Sequence, residues 1–90
     1  MDIEDVNKAA ESAMLDFGPY YYESPVEFVE TRQHPDGERF TVTFNDRRPN
    51  ALTGRSVFSF DVNVDDFETR EAIHEHLRDR IADWLGSNGR

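Results

Sequence analysis

The sequence predicts a two-layer α+β fold, in which both helices pack on one face of a three-stranded antiparallel sheet. Three observations predict it. Apolar residues near each end of the chain recur at helical spacing, two internal segments alternate between apolar and polar residues, and turn residues separate these segments. The order of elements is α-β-β-β-α. The length of 90 residues suits one domain, so we expect a single domain over residues 1–90.

The first helix is predicted over about residues 2–17. Asp2 is a suitable N-cap, and the acidic residues that follow it favour the positive end of the helix dipole. Gly18 followed by Pro19 is typical of a helix end, with glycine just beyond the last turn. The apolar residues that share one face of this helix are Ile3, Val6, Ala10, Ala13, Met14 and Phe17.

The predicted strands cover about residues 21–32, 38–45 and 56–64. Asp36-Gly37 is a hairpin signal between the first two strands. The alternating segments 40–44 and 58–64 are typical of half-buried antiparallel strands. The residues expected to face the helices are Val26, Phe28, Phe40, Val42, Phe44, Phe58, Phe60, Val62 and Val64. The other face is polar, so we expect solvent there and a monomer rather than a dimer across the sheet.

The second helix is predicted over about residues 66–86, with Gly86 at its end and a frayed tail over residues 87–90. Its apolar stripe consists of Ile73, Leu77, Ile81, Trp84 and Leu85. The opposite face of this helix carries acidic residues at every fourth position.

Three consecutive tyrosines, Tyr20 to Tyr22, follow the first helix and allow two interpretations. If the first strand runs continuously from Tyr20, Tyr20 and Tyr22 face the core and complete its packing, while Tyr21 points outward. Alternatively, the tyrosines form an exposed recognition patch. On either interpretation Tyr21 is the candidate exposed aromatic residue.

The charge balance is strongly acidic, with 19 Asp and Glu against 10 Lys and Arg and a formal net charge of −9. Such a charge repels nucleic-acid phosphates and anionic membranes and favours basic partners. The alternative is that the acidity serves only solvation. The absence of cysteine, the acidic N-terminus and the lack of a long apolar run predict a cytoplasmic protein with no membrane partner.

Four acids at intervals of four residues form the first candidate site, because this spacing places them in one row on a helix. They are Glu71, Glu75, Asp79 and Asp83. Like charges at this spacing destabilise a helix by a few tenths of a kcal/mol per pair. The row therefore suggests a docking surface for a basic partner or weak binding of a divalent cation, and a plain solvated face is the alternative.

The second candidate site is the long loop between the second and third strands, which carries Arg47, Arg48 and Arg55. Arginine side chains bind carboxylates and phosphates through paired N–H groups. The loop is longer than most hairpin loops, so anion or nucleic-acid binding is an alternative function, although the overall charge makes nucleic acid an unfavourable partner. Simple charge balance against the acidic chain is the other interpretation.

No metal or cofactor site is predicted. His74 and His76 are two residues apart, so on a helix their rings point in different directions, and a helical zinc pair needs a spacing of four. The nucleophile elbow, phosphate-binding loop and dinucleotide-binding glycine patterns are absent from the sequence, so we do not expect an enzyme. A small enzyme that uses Tyr21, His74 or an acidic pair is the third alternative. A structural or oligomeric subunit that associates through an edge strand is the fourth.

The order α-β-β-β-α is similar to that of double-stranded RNA-binding domains over most of the chain. In those domains a lysine-rich start of the second helix binds phosphates, whereas this chain has Asp65-Asp66-Phe67-Glu68 at that position. The resemblance therefore implies the order of elements and not RNA binding. The sequence favours a small acidic, non-catalytic interaction module that binds a basic partner.

Overall fold

The computed structural model describes residues 2–18, 20, 23–48 and 57–88. It contains α1 (Ile3–Leu15), β1 (Val26–Gln33), β2 (Arg39–Asp46), β3 (Val57–Asn63) and α2 (Arg70–Asn88). A short 3-10 helix, Val64–Asp66, joins β3 to α2. The strands form one antiparallel sheet in the order β1-β2-β3. The predicted α+β fold and the predicted order α-β-β-β-α are confirmed.

The core lies between the sheet and the two helices. α1 contacts α2 and β1, and α2 also contacts β3, so both helices cover the same face of the sheet. Phe40 and Phe44 on β2 are fully buried against the apolar stripe of α2. The Phe58 ring on β3 stacks on the Trp84 ring of α2, with 4.3 Å between the centroids. None of the helices in the described part of the chain combines the length and apolarity needed to cross a bilayer.

The predicted N-cap of α1 is confirmed. The Asp2 carboxylate accepts a hydrogen bond from the Asp5 N–H, and the Asp5 carboxylate accepts one from the Asp2 N–H, both at 3.2 Å. This capping box satisfies two N–H groups that a helix start otherwise leaves without partners. The two reciprocal bonds between Asp2 and Asp5 fix the first turn of the helix.

The end of α1 differs from the prediction. The helix ends at Leu15 with Asp16 as its C-cap, and Gly18 does not have the positive φ of a glycine cap. A Cβ atom on Gly18 would lie 2.8 Å from the backbone of Glu23 and Ser24. Glycine is required here because the chain folds back on itself at this point.

The start of β1 also differs from the prediction, because the strand begins at Val26 and not near residue 21. The Ser24 hydroxyl donates to the Met14 carbonyl at 3.0 Å and accepts from the Val26 N–H at 3.2 Å. These bonds tie the segment before the strand to the end of α1. Tyr20 is therefore not part of β1.

A β-bulge interrupts β1 between Phe28 and Glu30. Val29 is the extra residue and is 50% exposed. After the bulge Thr31 pairs with Val42 and faces the helices, although its Oγ1 atom is buried and has no hydrogen-bond partner among the described residues. The bulge changes which residues of β1 face the core, and simple alternation does not predict it.

α2 begins at Arg70, four residues later than predicted, and continues past Gly86 to Asn88. Asp66 lies in the 3-10 helix and Phe67 is extended, with φ −129° and ψ 131°. The Thr69 hydroxyl then accepts a hydrogen bond from the Ala72 N–H at 3.2 Å, as an N-cap does. Gly86 does not end the helix, since helix formation tolerates a glycine at moderate cost.

Candidate functional site

The four acids predicted to form a row lie on the solvent side of α2, and we call them the acidic ridge. They are Glu71, Glu75, Asp79 and Asp83, and all four are exposed. The ridge is positioned by the opposite side of the helix, where Ile73, Leu77 and Ile81 are fully buried. Successive ridge residues are about 6 Å apart along the helix axis, since each residue advances the helix by about 1.5 Å.

The ridge carboxylates form few contacts within the molecule. The Asp79 carboxylate lies 3.7 Å from the Nε atom of the neighbouring Arg78, and both side chains are largely exposed. Glu71, Glu75 and Asp83 form no hydrogen bond or ion pair with another described residue. The ridge therefore presents charges that the fold does not neutralise.

Several other acids have definite roles in the fold. For example, the Asp36 carboxylate accepts bonds from the N–H groups of Glu38 and Arg39 at 2.9 and 3.0 Å, which shapes the hairpin turn where Gly37 has φ 78°. Asp16 at the end of α1 is hydrogen-bonded to His74 of α2 at 2.5 Å. Local contacts of this kind account for the acids of the hairpin and of the helix contact, but not for the ridge.

Arg48, one of the three arginines of the predicted anion site, binds groups of its own chain. Its Nε and Nη2 atoms donate to the two carboxylate oxygens of Asp46 at 3.0 and 2.8 Å, and its Nη1 atom donates to the Leu85 carbonyl at 3.1 Å. These bonds connect the end of β2 to the last turns of α2. The anion that Arg48 contacts in this structure is therefore the carboxylate of Asp46.

Asp46 is a buried carboxylate, with a side chain that is fully shielded from solvent. It accepts two further hydrogen bonds, from the Arg48 backbone N–H at 3.0 Å and from the Trp84 indole N–H at 3.1 Å. Burial raises the pKa of Asp46, but the hydrogen bonds from Arg48 and Trp84 outweigh burial and hold that pKa below its ordinary value. Asp46 thus stays charged and joins β2 to α2.

Arg47, like Arg48, binds a group of its own chain. The Arg47 side chain donates to the Ser24 carbonyl from Nε at 3.2 Å and from Nη2 at 2.7 Å, which anchors the start of β1. Arg55 lies outside the described residues. Anion binding through this loop stays a prediction, and the described contacts of Arg47 and Arg48 are structural.

The tyrosine segment is described only in part. Tyr20 is 57% exposed, so the inward position expected from a continuous strand is wrong for this residue. The reason is that β1 starts after Pro25, and the Tyr20 carbonyl instead accepts a turn bond from the Glu23 N–H at 2.9 Å. Tyr21, the candidate exposed aromatic residue, and Tyr22 lie outside the described residues.

A chain of polar side chains crosses the outer face of the sheet. The Thr41 hydroxyl donates to the Asp61 carboxylate at 2.8 Å, and its oxygen lies 2.7 Å from His34 Nε2. Because a hydroxyl has one proton and Thr41 gives it to Asp61, the His34 Nε2 atom must be the donor to Thr41. His34, Thr41 and Asp61 therefore form one hydrogen-bonded chain on this face of the sheet.

The histidines of α2 contribute to packing. His74 is half-buried in its contact with Asp16, and the His76 ring lies against Phe67 with 5.1 Å between the centroids. No three His, Asp or Glu side chains in the described ranges converge so that they could hold a metal ion.

Two of the grooves beside the helices lie against the outer strands of the sheet. One, of about 370 Å³, lies between α1 and β1 and is lined by Glu11, Met14, Leu15 and Phe28. The other, of about 210 Å³, lies between β3 and α2 and is lined by Phe60, Arg80, Asp83, Trp84 and Ser87. The guanidinium carbon of Arg80 lies 5.2 Å from the centre of the Phe60 ring, within cation–π range. Asp83 belongs both to the second groove and to the acidic ridge.

Comparison of the chain with protein-family models, with curated proteins and with solved structures finds no match in any of the three. The proposal for its function therefore depends on the geometry of the described residues.

Proposed function

We propose that this protein is a non-catalytic, cytoplasmic interaction module that binds a basic segment of a partner protein through the acidic ridge of α2. The observation that carries the proposal is the row of four exposed carboxylates, of which Glu71, Glu75 and Asp83 have no ion pair with another described residue. Because no described residue forms an ion pair with these three carboxylates, they are available to a partner.

The spacing of the ridge carboxylates suits a partner whose basic side chains lie in a row. Carboxylates about 6 Å apart on a rigid helix match cations that repeat along a second helix or an extended chain. The net charge of −9 adds attraction over a longer range, which raises the association rate for a basic partner. Charge attraction of this kind weakens as salt screens it.

The rigidity of α2 also supports the proposal. The helix is held to the sheet by the Phe58–Trp84 stack and by the bond from Arg48 to the Leu85 carbonyl. A fixed helix keeps the four carboxylates in place before binding. Binding then requires little ordering of the backbone.

The test compares a variant with two reversed charges on the ridge with a variant that has two reversed charges on α1. The ridge variant is Glu75→Lys with Asp79→Lys, and the control is Glu4→Lys with Glu11→Lys, which changes the net charge equally on exposed positions of α1. Tagged wild type and both variants are used to capture proteins from a lysate at physiological salt. We expect one basic protein that wild type and the control retain in stoichiometric amount and that the ridge variant loses.

Two results would contradict the proposal. Equal retention by all three proteins would show that the ridge is not the binding surface. Equal loss in both variants would show that only the total charge matters. Circular dichroism of each variant checks that the fold is intact, which we expect because every substituted side chain is exposed.

A further inference from the structure

The two outer strands of the sheet, β1 and β3, differ in whether the backbone groups on their free edges have hydrogen-bond partners. An edge strand exposes backbone N–H and C=O groups that can pair with another strand, and proteins usually block such edges. In β1 the chain itself blocks the edge as far as the bulge and leaves only Thr31 and Gln33 open beyond it, whereas β3 is open along its whole length. The hydrogen bonds of the described residues establish this difference.

On β1, the Arg47 N–H donates to the Pro25 carbonyl at 2.8 Å, so by the alternation of antiparallel pairs Val26 and Phe28 direct their backbone groups away from β2. The Val26 N–H donates to the Ser24 hydroxyl, and the Phe28 N–H donates to the Met14 sulfur at 3.3 Å. The bulge then interrupts the strand. These features block the edge of β1 from Val26 to the bulge and leave only a short open segment after it.

On β3, the Val64 N–H donates to the Glu38 carbonyl at 3.0 Å, so Val62, Phe60 and Phe58 form the hydrogen-bonded pairs with β2. Ser59 and Asp61 therefore direct their N–H and C=O groups outward, and no described residue satisfies them. The strand has no bulge and no Lys or Arg, and its Val57 is 58% exposed.

We propose that the open edge of β3 pairs with β3 of a second copy of this chain, in antiparallel orientation about a two-fold axis. Pairing of the whole strand Val57–Asn63 places the axis at its middle residue, Phe60. In this register Ser59 lies opposite Asp61 of the second copy, and Val57 lies opposite Asn63. No two like charges lie directly opposite each other, although the two Asp61 side chains are diagonal neighbours at about 7–8 Å. The two three-stranded sheets become one continuous six-stranded sheet.

Under this two-fold symmetry, the side chains beside the edge of one copy can form favourable contacts with those of the other copy. Phe60 is half-buried in one copy and faces its own equivalent across the axis, so pairing buries both rings. The groove next to it carries one cation, Arg80, and one anion, Asp83. A two-fold axis can place the cation of each copy near the anion of the other, as in an isologous interface.

The main opposing force is repulsion between two chains that each carry a net charge of −9. Salt screens this repulsion, with a Debye length of roughly 10 Å at 0.1 M and about 3 Å at 1 M. Self-association should therefore strengthen as salt increases. Binding of a basic partner to the acidic ridge should weaken over the same range, so the two proposals fail or succeed separately.

The test is sedimentation velocity over a range of protein concentrations at about 0.05 M and about 0.5 M NaCl, chosen to span the change in screening. We expect wild type to move from the mass of one copy to that of two, at lower concentration in high salt. Ser59→Pro removes an outward N–H that β2 does not use. Loss of this bond in both copies should weaken association by about 100-fold, at about tenfold per bond.

The matched control is Ser59→Ala, which also loses the bond between the hydroxyls of Ser59 and Thr43 but keeps the N–H. We expect it to associate like wild type. Should Ser59→Pro fail to fold, hydrogen exchange of wild type replaces it: the Ser59 and Asp61 amides should exchange more slowly as concentration rises. A wild type that stays monomeric at high salt, or a dimer in which these amides exchange freely, would overturn the proposal.

Discussion

Replacement of Arg48 by alanine tests how β2 and α2 are held together. The substitution removes two hydrogen bonds to the buried carboxylate of Asp46 and one to the Leu85 carbonyl. Asp46 would keep only the bonds from the Arg48 backbone N–H and the Trp84 indole. Its charge would remain buried without a counter-ion.

Removal of one partner from a buried ion pair destabilises a protein by about 3–5 kcal/mol. The Arg48 side chain is 26% exposed, so water can reach part of the vacated space, and the lower value of about 3 kcal/mol applies. A chain of this length has a free energy of unfolding of roughly 5–13 kcal/mol. The variant should therefore stay folded at 25 °C and melt about 12–24 °C below wild type, at about 4–8 °C per kcal/mol.

The assay is thermal and urea unfolding followed by circular dichroism. Arg32→Ala is the control, because it removes the same charge from a side chain that is 76% exposed and only 3.4 Å from Glu30. An exposed pair of this kind contributes about 0–1 kcal/mol. If Arg48→Ala destabilised the protein no more than Arg32→Ala does, the buried ion pair would not be the connection we infer.

Further predictions concern pH and two glycines. The folded pKa of Asp46 is lowered, so its contribution to stability is complete above the ordinary value of 3.8 and is lost as the pH falls through the folded pKa. Asp46→Asn should therefore melt well below wild type at pH 7, and melting curves at lower pH should show the difference shrinking below pH 3.8. Gly18→Ala should lower the free energy of unfolding in urea by about 1–3 kcal/mol, because the new Cβ atom meets backbone at 2.8 Å. Gly86→Ala should raise the free energy of unfolding by up to about 1 kcal/mol, since Gly86 is helical, in the last turn of α2, and nothing lies within 4 Å of its Cβ position. A gain in stability at Gly18 or a loss at Gly86 would contradict these two predictions.

The parts of the fold that the sequence predicted depend on local patterns. Phe40, Val42 and Phe44 alternate with two threonines, and all three are buried as the pattern indicates. Asp2 precedes a helical apolar face and caps α1. The burial of one face of each helix follows from spacing alone, and so does the exposure of the acidic ridge.

The parts that the sequence did not predict depend on distant contacts. The predicted second strand ends at residue 45, which leaves Asp46 in the following loop. Its burial depends on Trp84, 38 residues away, and on Arg48. The bulge at Val29 leaves no clear sign in a segment where polar and apolar residues mix. Gly18 before Pro19 predicts a helix cap, but in the structure Gly18 is needed because the backbone of Glu23 and Ser24 leaves no room for a Cβ atom.

If the acidic ridge binds a basic partner through its charges, the affinity must depend on salt, and this dependence is the sharpest test. The dissociation constant of the captured partner is measured by calorimetry at several NaCl concentrations for wild type, the ridge variant Glu75→Lys with Asp79→Lys, and the α1 control. We expect affinity to fall steeply with salt for wild type and the control, and to be weak with little salt dependence for the ridge variant. An affinity that does not change with salt, or that the ridge variant retains, would contradict binding through the acidic ridge.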